Sequence, residues 1–400
     1  MDNVVVVGAS LAGFRAVEEL RHQGYDGRLT VIGAETHLPY DRPPLSKQVL
    51  SGKWELDRIA LRPIGKEISE LDVDWKLGVA ATGLDLSTRD VELADGSKVP
   101  FDGLLIATGA AVRTLPGQPN LDGLYALRTL DDCLGLRRDL ERTPERVVVV
   151  GAGFIGAEVA ATARERGLEV TVLEALSTPL QRALGDQMGN VCADIHRDHG
   201  VDLRLEVGVE GFQDDGNGRF TGVTLTDGTT VAADVAVVGV GVVPNTGWLE
   251  GSGLTIDNGV VCDESCLAAE GVVAAGDIAR WPNTRFGEVM RVEHWENAQD
   301  QGAHAARRLL GQSEPYAPVP WFWSDQYDRK IQLAGRSSAD DEVRVVDGSI
   351  DERRFVAIYG RGERLVGVLG MNRPRVVMEY RQLIASGASW DDALAKASDT

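Results

Sequence analysis

Only four cysteines, Cys133, Cys192, Cys262 and Cys266, are scattered through 400 residues. That density excludes a disulfide-stapled scaffold and fits a reducing compartment. Positive charge is also scarce: 41 Lys and Arg face 61 Asp and Glu, a net charge of −20. An acidic surplus argues against binding a nucleic-acid backbone or an anionic membrane face. Long apolar runs are missing as well. None approaches the ~18 residues of a membrane span, and the start, MDNVVVVGAS, lacks the basic, apolar and small-residue order of a signal peptide. The expectation is a soluble cytoplasmic protein with neither nucleic acid nor membrane as partner. Cys192, His196 and His199 fall on one helix face but have no fourth ligand at plausible spacing, so no metal is expected.

What the chain does have is 43% apolar residues, enough for a large core and for two or three domains. An internal repeat organises them. NVVVVGASLAGFRAVEELRHQGYDGRLTVIGAE, from Asn3, reads as buried strand, Gly-rich turn, amphipathic helix, second strand and terminal acid; RVVVVGAGFIGAEVAATARERGLEVTVLEA, from Arg146, repeats that order. Phe14, Val17 and Leu20 fall at helical spacing, and the valine runs have strand composition. Each copy is a βαβ unit. FDGLLIATGA, VAVVGVGVVPNT and GVVAAGDIAR read as further buried strands, and GFQDDGNGRFTGVTLTDGTTV as a β-meander with hairpin signals. From about Ser313 a segment rich in proline and aromatics marks the boundary of a smaller C-terminal domain that ends in a helix near Ser389 to Ser398.

The second turn carries a full GxGxxG, at Gly151, Gly153 and Gly156. The first glycine permits the tight turn, the second lets the backbone approach a pyrophosphate, and the third lets helix pack on strand. About 20 residues further on, a strand ends at Glu174, whose carboxylate suits the two ribose hydroxyls of NAD and would repel the 2′-phosphate of NADP. NADH is therefore the expected nicotinamide. In the first turn, Gly8 and Gly13 flank Ser10, a small residue where the second glycine is usual, and Glu35 ends the strand. Two dinucleotide sites imply two dinucleotides: most economically a resident flavin and a nicotinamide that comes and goes, joined by hydride transfer.

At this point the chain resembles the two-dinucleotide flavoprotein reductases, and among them the NADH-dependent ferredoxin reductases of oxygenase systems. GASLAG, PYDRPPLSK, IATGA, GAGFIGAE, VGVGVVPNT, AAGDIA, VEHWENAQDQG and FWSDQYD carry the likeness in order. The resemblance implies an α/β fold with two Rossmann-like domains, for FAD and NAD, plus a smaller mixed α+β domain. A discontinuous FAD domain would span 1–109 and 235–312, the NAD domain 110–234 and the C-terminal interface domain 313–400. FAD would lie along Gly8, Ser10 and Gly13, with Glu35 on its ribose. Arg42, Ala80, Thr108, Gly109 and Arg128 would add contacts. Asp277, after Gly276, would accept from the ribityl chain, and Trp295 would sit at the isoalloxazine edge. Lys47 would stand beside the ring, paired with Glu158, and Gly241 and Glu158 would seat the nicotinamide. Lys47, Glu158, Trp295 and Trp323 form the expected catalytic set.

The same resemblance frames the exit of electrons. Relatives that work through a thiol place a cysteine near the segment ETHLPYDRPPLSKQ, Glu35 to Gln48, which here has none. Cys262 and Cys266 match no such motif and read as part of a surface strand and turn. The expected exit is the aromatic cluster Trp321, Phe322 and Trp323, with Arg307, Arg308, Arg329, Lys330, Arg336, Arg373 and Arg375 as a basic face for an acidic ferredoxin. The implied activity passes hydride from NADH to FAD, then single electrons to a two-iron ferredoxin, in a monomer or weak homodimer. Its rivals are a rubredoxin reductase, a thiol-dependent disulfide or peroxide reductase, and a redox sensor without turnover.

Overall fold

Residues 1–62 and 67–398 are described in the structure, a computed structural model. Their contacts divide into two compact units. One comprises Met1–Asp41, Ile59–Ala111 and Val243–Trp321; the other comprises Arg42–Arg58, Val112–Val242 and the chain from Phe322 onward.

The first βαβ repeat forms the centre of the first unit. Val4, Val5, Val6 and Val7 are all buried, as a parallel strand covered on both faces requires. Their strand, Asn3–Val7, pairs in parallel with Arg28–Gly33 and with Gly103–Ile106, placing Val5 opposite Thr30 and Leu104. Val73–Leu77 and Val272–Ala274 extend the sheet in parallel, and Leu267–Ala269 closes one edge antiparallel. Helix Leu11–His22 turns Phe14, Val17 and Leu20 inward. A second helix, Trp295–Leu309, meets it at Gly302, where a Cβ would fall 2.3 Å from the Ala12 carbonyl oxygen. The missing side chain thus lets the backbones touch. Three antiparallel strands, Ala81–Asp85, Asp90–Leu93 and Lys98–Pro100, form a separate small sheet in the same unit.

The second repeat builds the other unit by the same logic. Arg146–Val150 pairs in parallel with Glu169–Leu173 and Val235–Val238, and Asp202–Arg204 and Leu124–Tyr125 lie at the two edges. The stretch Val209–Asp214, Phe220–Leu225 and Thr230–Ala232 is the expected meander. Beyond it, five antiparallel strands run in the order Trp321–Gln326, Arg329–Gly335, Arg364–Met371, Arg354–Arg361 and Glu342–Ser349. Helices Pro374–Ser386 and Trp390–Ser398 follow them.

Strand pairing assigns the segments near the expected boundaries to their sheets. Val235–Val238, expected to begin the return of the FAD-binding segment, is fully buried beside Arg146–Val150, with Ala236 opposite Val148. An apolar four-residue strand fills that slot in the second sheet, so the second unit runs to Val242. Arg42–Arg58 also belongs to this unit. The C-terminal sheet is packed against helix Gln181–Asp198, where Leu184, Met188, Val191 and Ile195 meet Ile331, Phe355, Tyr359 and Leu369. This accounts for Cys192 and His196, which face that core; among the described residues no His, Cys, Asp or Glu group is arranged to hold a metal. Residues 399 and 400 of the expected C-terminal domain lie outside the described residues. No described helix is long and apolar enough to cross a membrane. The architecture is two Rossmann-like parallel-sheet domains with a C-terminal antiparallel-sheet domain.

Candidate functional site

In the first unit the Gly-rich turn is as tight as its sequence requires. Gly8 has φ +123°, and a Cβ there would fall 2.1 Å from the Ala107 carbonyl oxygen; one on Gly13 would fall 1.9 Å from the Gly8 carbonyl oxygen. Strand end, turn and helix start are in backbone contact. Ser10 precedes helix Leu11–His22 in an extended conformation, which leaves the helix N-terminus facing the turn. Glu35 lies just past Arg28–Gly33 and accepts from the Tyr40 hydroxyl at 2.5 Å, which fixes its carboxylate.

Other residues expected at the flavin lie in the same unit and are held by local hydrogen bonds. Gly276, φ +77°, has its α-carbon beside Ala12 and donates its amide to Gln301 Oε1 at 2.9 Å, so Asp277 follows immediately from a held turn. The Trp295 indole nitrogen donates to Asp41 Oδ1 at 2.6 Å. Thr108 and Asn245 are joined reciprocally: Thr108 Oγ1 donates to the Asn245 carbonyl at 3.1 Å, and Asn245 Nδ2 donates to the Thr108 carbonyl at 2.8 Å. Gly109, φ +65°, completes that loop, and the Ala80 carbonyl accepts from Ala94. Asp41, Asn245 and Gln301 were not singled out in the sequence.

The second unit repeats the cradle with more room. A Cβ on Gly156 would lie 2.1 Å from the Gly151 carbonyl oxygen, again locking helix to turn. At Gly153 the nearest atom to a Cβ is 4.0 Å away, and at Gly241, φ +100°, nothing lies within 4 Å. The position where a pyrophosphate would approach is therefore open. Glu174 reaches back to this turn, its Oε2 accepting from the Ala152 amide at 2.8 Å and its Oε1 from the Leu176 amide at 2.9 Å. These tight turns, the open backbone at Gly153 and the strand-end carboxylates fit two dinucleotides. Nearby, Arg42 donates to the Arg128 carbonyl at 2.5 Å, and Arg128 in turn donates its amide to Asp132 Oδ2 at 3.0 Å.

Lys47 and Glu158 form the expected ion pair, with Nζ 2.8 Å from Oε2. Their side chains are only 11% and 3% exposed, so the carboxylate needs further donors. Ser46 supplies one to Oε2, and Ser324 another to Oε1 at 2.7 Å. Ser46 is itself anchored, since its carbonyl accepts from Thr162 Oγ1 at 2.8 Å. Both serines escaped the sequence reading. The alternation of Trp321–Gln326 was the available signal: Phe322, Ser324 and Gln326 share one pleat face, Trp321 and Trp323 the other.

That alternation divides the expected aromatic cluster between two pleat faces. Phe322 stacks edge-on against Phe154, ring centroids 4.5 Å apart, so only the two half-buried tryptophans remain on the other face. Most residues of the expected basic face have partners within their own surroundings. Arg307 pairs with Glu19, Arg329 with Asp328, Lys330 with Asp325, Arg373 with Asp347 and Arg375 with Glu379, while Arg308 donates to Ser265. Cys262 and Cys266 are buried rather than on the surface. Burial pushes the Cys133, Cys192 and Cys262 thiols up to about 12 and Cys266 higher still, leaving all four neutral. A neutral buried thiol is a poor nucleophile.

Comparison with known proteins agrees with this geometry. Residues 2–302 match the family described as pyridine nucleotide-disulphide oxidoreductase, and residues 321–400 match that described as reductase C-terminal. Rhodocoxin reductase of Rhodococcus erythropolis is 40% identical over 386 residues, covering 96% of this chain and 90% of that one. The 5,5'-dehydrodivanillate O-demethylase ferredoxin reductase subunit of a Sphingobium species is 39% identical, covering 98% and 96%. The reductase in the crystal structure of the covalent putidaredoxin reductase-putidaredoxin complex superimposes with a TM-score of 0.91 at 33% identity, covering 96% of this chain and 93% of that one.

Proposed function

The chain belongs to the pyridine nucleotide-disulphide oxidoreductase family, and from that premise we propose that it carries electrons from NADH through FAD to a two-iron ferredoxin that supplies an oxygenase. It is an oxidoreductase that uses FAD and NAD(P)H. Bound FAD supplies the exchange of one two-electron transfer for two single-electron transfers. The first βαβ turn, with Glu35, Thr108, Gly109 and Asp277, would hold that group, as would Ala80, Arg42 and Arg128. The second turn holds the nicotinamide dinucleotide, with Glu174 on its adenosine ribose and Gly241 and Glu158 at its reactive end.

The Lys47 and Glu158 pair carries this reading, because it is buried, hydrogen-bonded on both carboxylate oxygens and without a reactive thiol beside it. Lys47 would supply a positive charge beside the ring, which would stabilise negative charge there electrostatically. Trp295, held by Asp41, would stand at the ring edge. With every thiol neutral and buried, electrons would leave directly, and Trp323, on the pleat face opposite Ser324, is the proposed contact for the carrier. Strand-end Glu174 favours NADH over NADPH. We place the protein in the cytoplasm as a monomer or weak homodimer.

NADH-dependent cytochrome c reduction by the purified FAD-loaded protein, with and without a two-iron ferredoxin, tests this. A large ferredoxin-dependent increase is expected. Rapid flavin bleaching by NADH with no increase would overturn the carrier assignment.

A further inference from the structure

Glu158 has more donors than an ion pair needs. Lys47 and Ser46 share Oε2, and Ser324 takes Oε1. All four groups are largely buried, Ser324 completely. The direction of the Ser324 hydroxyl is fixed by its neighbour: Gln326 Nε2 donates to Ser324 Oγ at 3.2 Å, so the Ser324 proton is turned to Glu158. Gln326 is itself buried, and among the described residues its Oε1 has no partner. A buried amide left half-satisfied costs stability, which is the mark of a group retained for what it orients. Ser46 is likewise constrained from both sides, by the 3-10 turn Pro43–Ser46 and by Thr162, one helical turn beyond Glu158.

A buried carboxylate whose only counter-ion withdraws either takes up a proton or holds that counter-ion back. Here each oxygen keeps one hydroxyl donor that does not depend on Lys47. We propose that Ser46 and Ser324 are positioning residues that keep Glu158 hydrogen-bonded and fixed when the Lys47 ammonium turns from it toward negative charge on the flavin. Lys47 then serves two anions in alternation, and the serines set how readily it changes over. Ser324 thereby makes the C-terminal sheet part of the nicotinamide site. This rests on the placement of Lys47 at the flavin ring proposed above.

The test is the two-electron midpoint potential of the FAD-loaded protein, measured for the wild type and for Ser46→Ala/Ser324→Ala, each with Lys47 intact and with Lys47→Met. With its hydroxyl donors gone, Glu158 holds Lys47 more firmly, and the potential falls. A drop of roughly 30 mV corresponds to a tenfold loss of that stabilisation. In the Lys47→Met background the serine change leaves the potential where Lys47→Met alone put it. Ser324→Thr, which keeps the hydroxyl, returns the single-site effect of Ser324→Ala to the wild-type value. An equal fall with and without Lys47 overturns the proposal, as does an unchanged potential in the serine variant when Lys47→Met does shift it. If Lys47→Met itself leaves the potential unmoved, the placement of Lys47 at the ring fails, and this inference fails with it.

Discussion

Trp295 donates its indole N–H to Asp41 Oδ1 at 2.6 Å, tying the first turn of helix Trp295–Leu309 to the segment that follows Glu35. Burial raises the Asp41 carboxyl above its ordinary range, and the indole hydrogen bond opposes that rise. A carboxyl raised on folding contributes stability that is full below its unfolded value and lost as pH rises through the folded one. Without the indole donor the folded value climbs further. Trp295→Phe is therefore expected to cost about 1–3 kcal/mol at pH 7, with the deficit shrinking as pH falls toward 4. Urea unfolding at both pH values checks this. An equal deficit at the two would show that the indole acts by packing alone.

His196 gives the opposite sign. It is buried, bonded through Nδ1 to the Tyr327 hydroxyl at 2.8 Å, and burial lowers it to about 4. A base depressed on folding contributes stability that is complete above its unfolded value of about 6.5 and lost as pH falls through the folded value. Between those limits its contribution amounts to roughly 3 kcal/mol. His196→Asn keeps a polar partner for Tyr327 and is expected to flatten stability between pH 6.5 and 4, read as the denaturant midpoint against pH. A slope as steep as that of the wild type would assign acid sensitivity to the carboxylates instead.

The cysteine pair offers a cleaner decision. Cys262→Ala/Cys266→Ala removes two neutral, buried thiols, of which Cys266 only accepts a weak contact from Gln301 at 3.5 Å. NADH-driven ferredoxin reduction is expected to persist near the wild-type rate, with some loss of thermal stability from the cavity. Loss of turnover in a protein that keeps its flavin and its fold would restore the thiol-dependent alternative.

Much of this could be read from the sequence because the signals were local. Valine runs, two Gly-rich turns and the strand-end acids Glu35 and Glu174 lie within single βαβ units, and backbone geometry dictates their residue types. Long-range polar contacts carried no such signature. Ser46 lies 112 residues from Glu158, Ser324 lies 166 away, and Trp295 lies 254 from Asp41. Short polar side chains follow no period, and only folding brings them together. The sheet that takes Val235–Val238 was hidden for a related reason: a buried apolar strand looks the same whichever sheet receives it.

Glu174 is positioned for a specificity test. Its two oxygens each hold one backbone amide and keep further lone pairs for ribose hydroxyls. Glu174→Ser is expected to lower kcat/KM for NADH by roughly tenfold or more while raising the ratio of NADPH to NADH use. Steady-state flavin-dependent ferricyanide reduction with each nucleotide measures both. A parallel loss with the two nucleotides would mean that Glu174 serves only to hold the turn through Ala152 and Leu176.

Trp323 stands on the pleat face opposite Ser324, so it can be altered without removing a donor to Glu158. Large aromatic side chains at the centre of a contact carry a disproportionate share of binding, on the order of 2 kcal/mol or more for the strongest. Trp323→Ala is accordingly expected to reduce ferredoxin-dependent cytochrome c reduction by roughly tenfold or more. NADH-dependent ferricyanide reduction, which needs no docked protein, should stay close to the wild-type rate. A change confined to the ferredoxin KM would assign Trp323 to docking. If both activities fell together, the side chain would belong to the nicotinamide or flavin end, and the carrier's contact would have to be sought on another face.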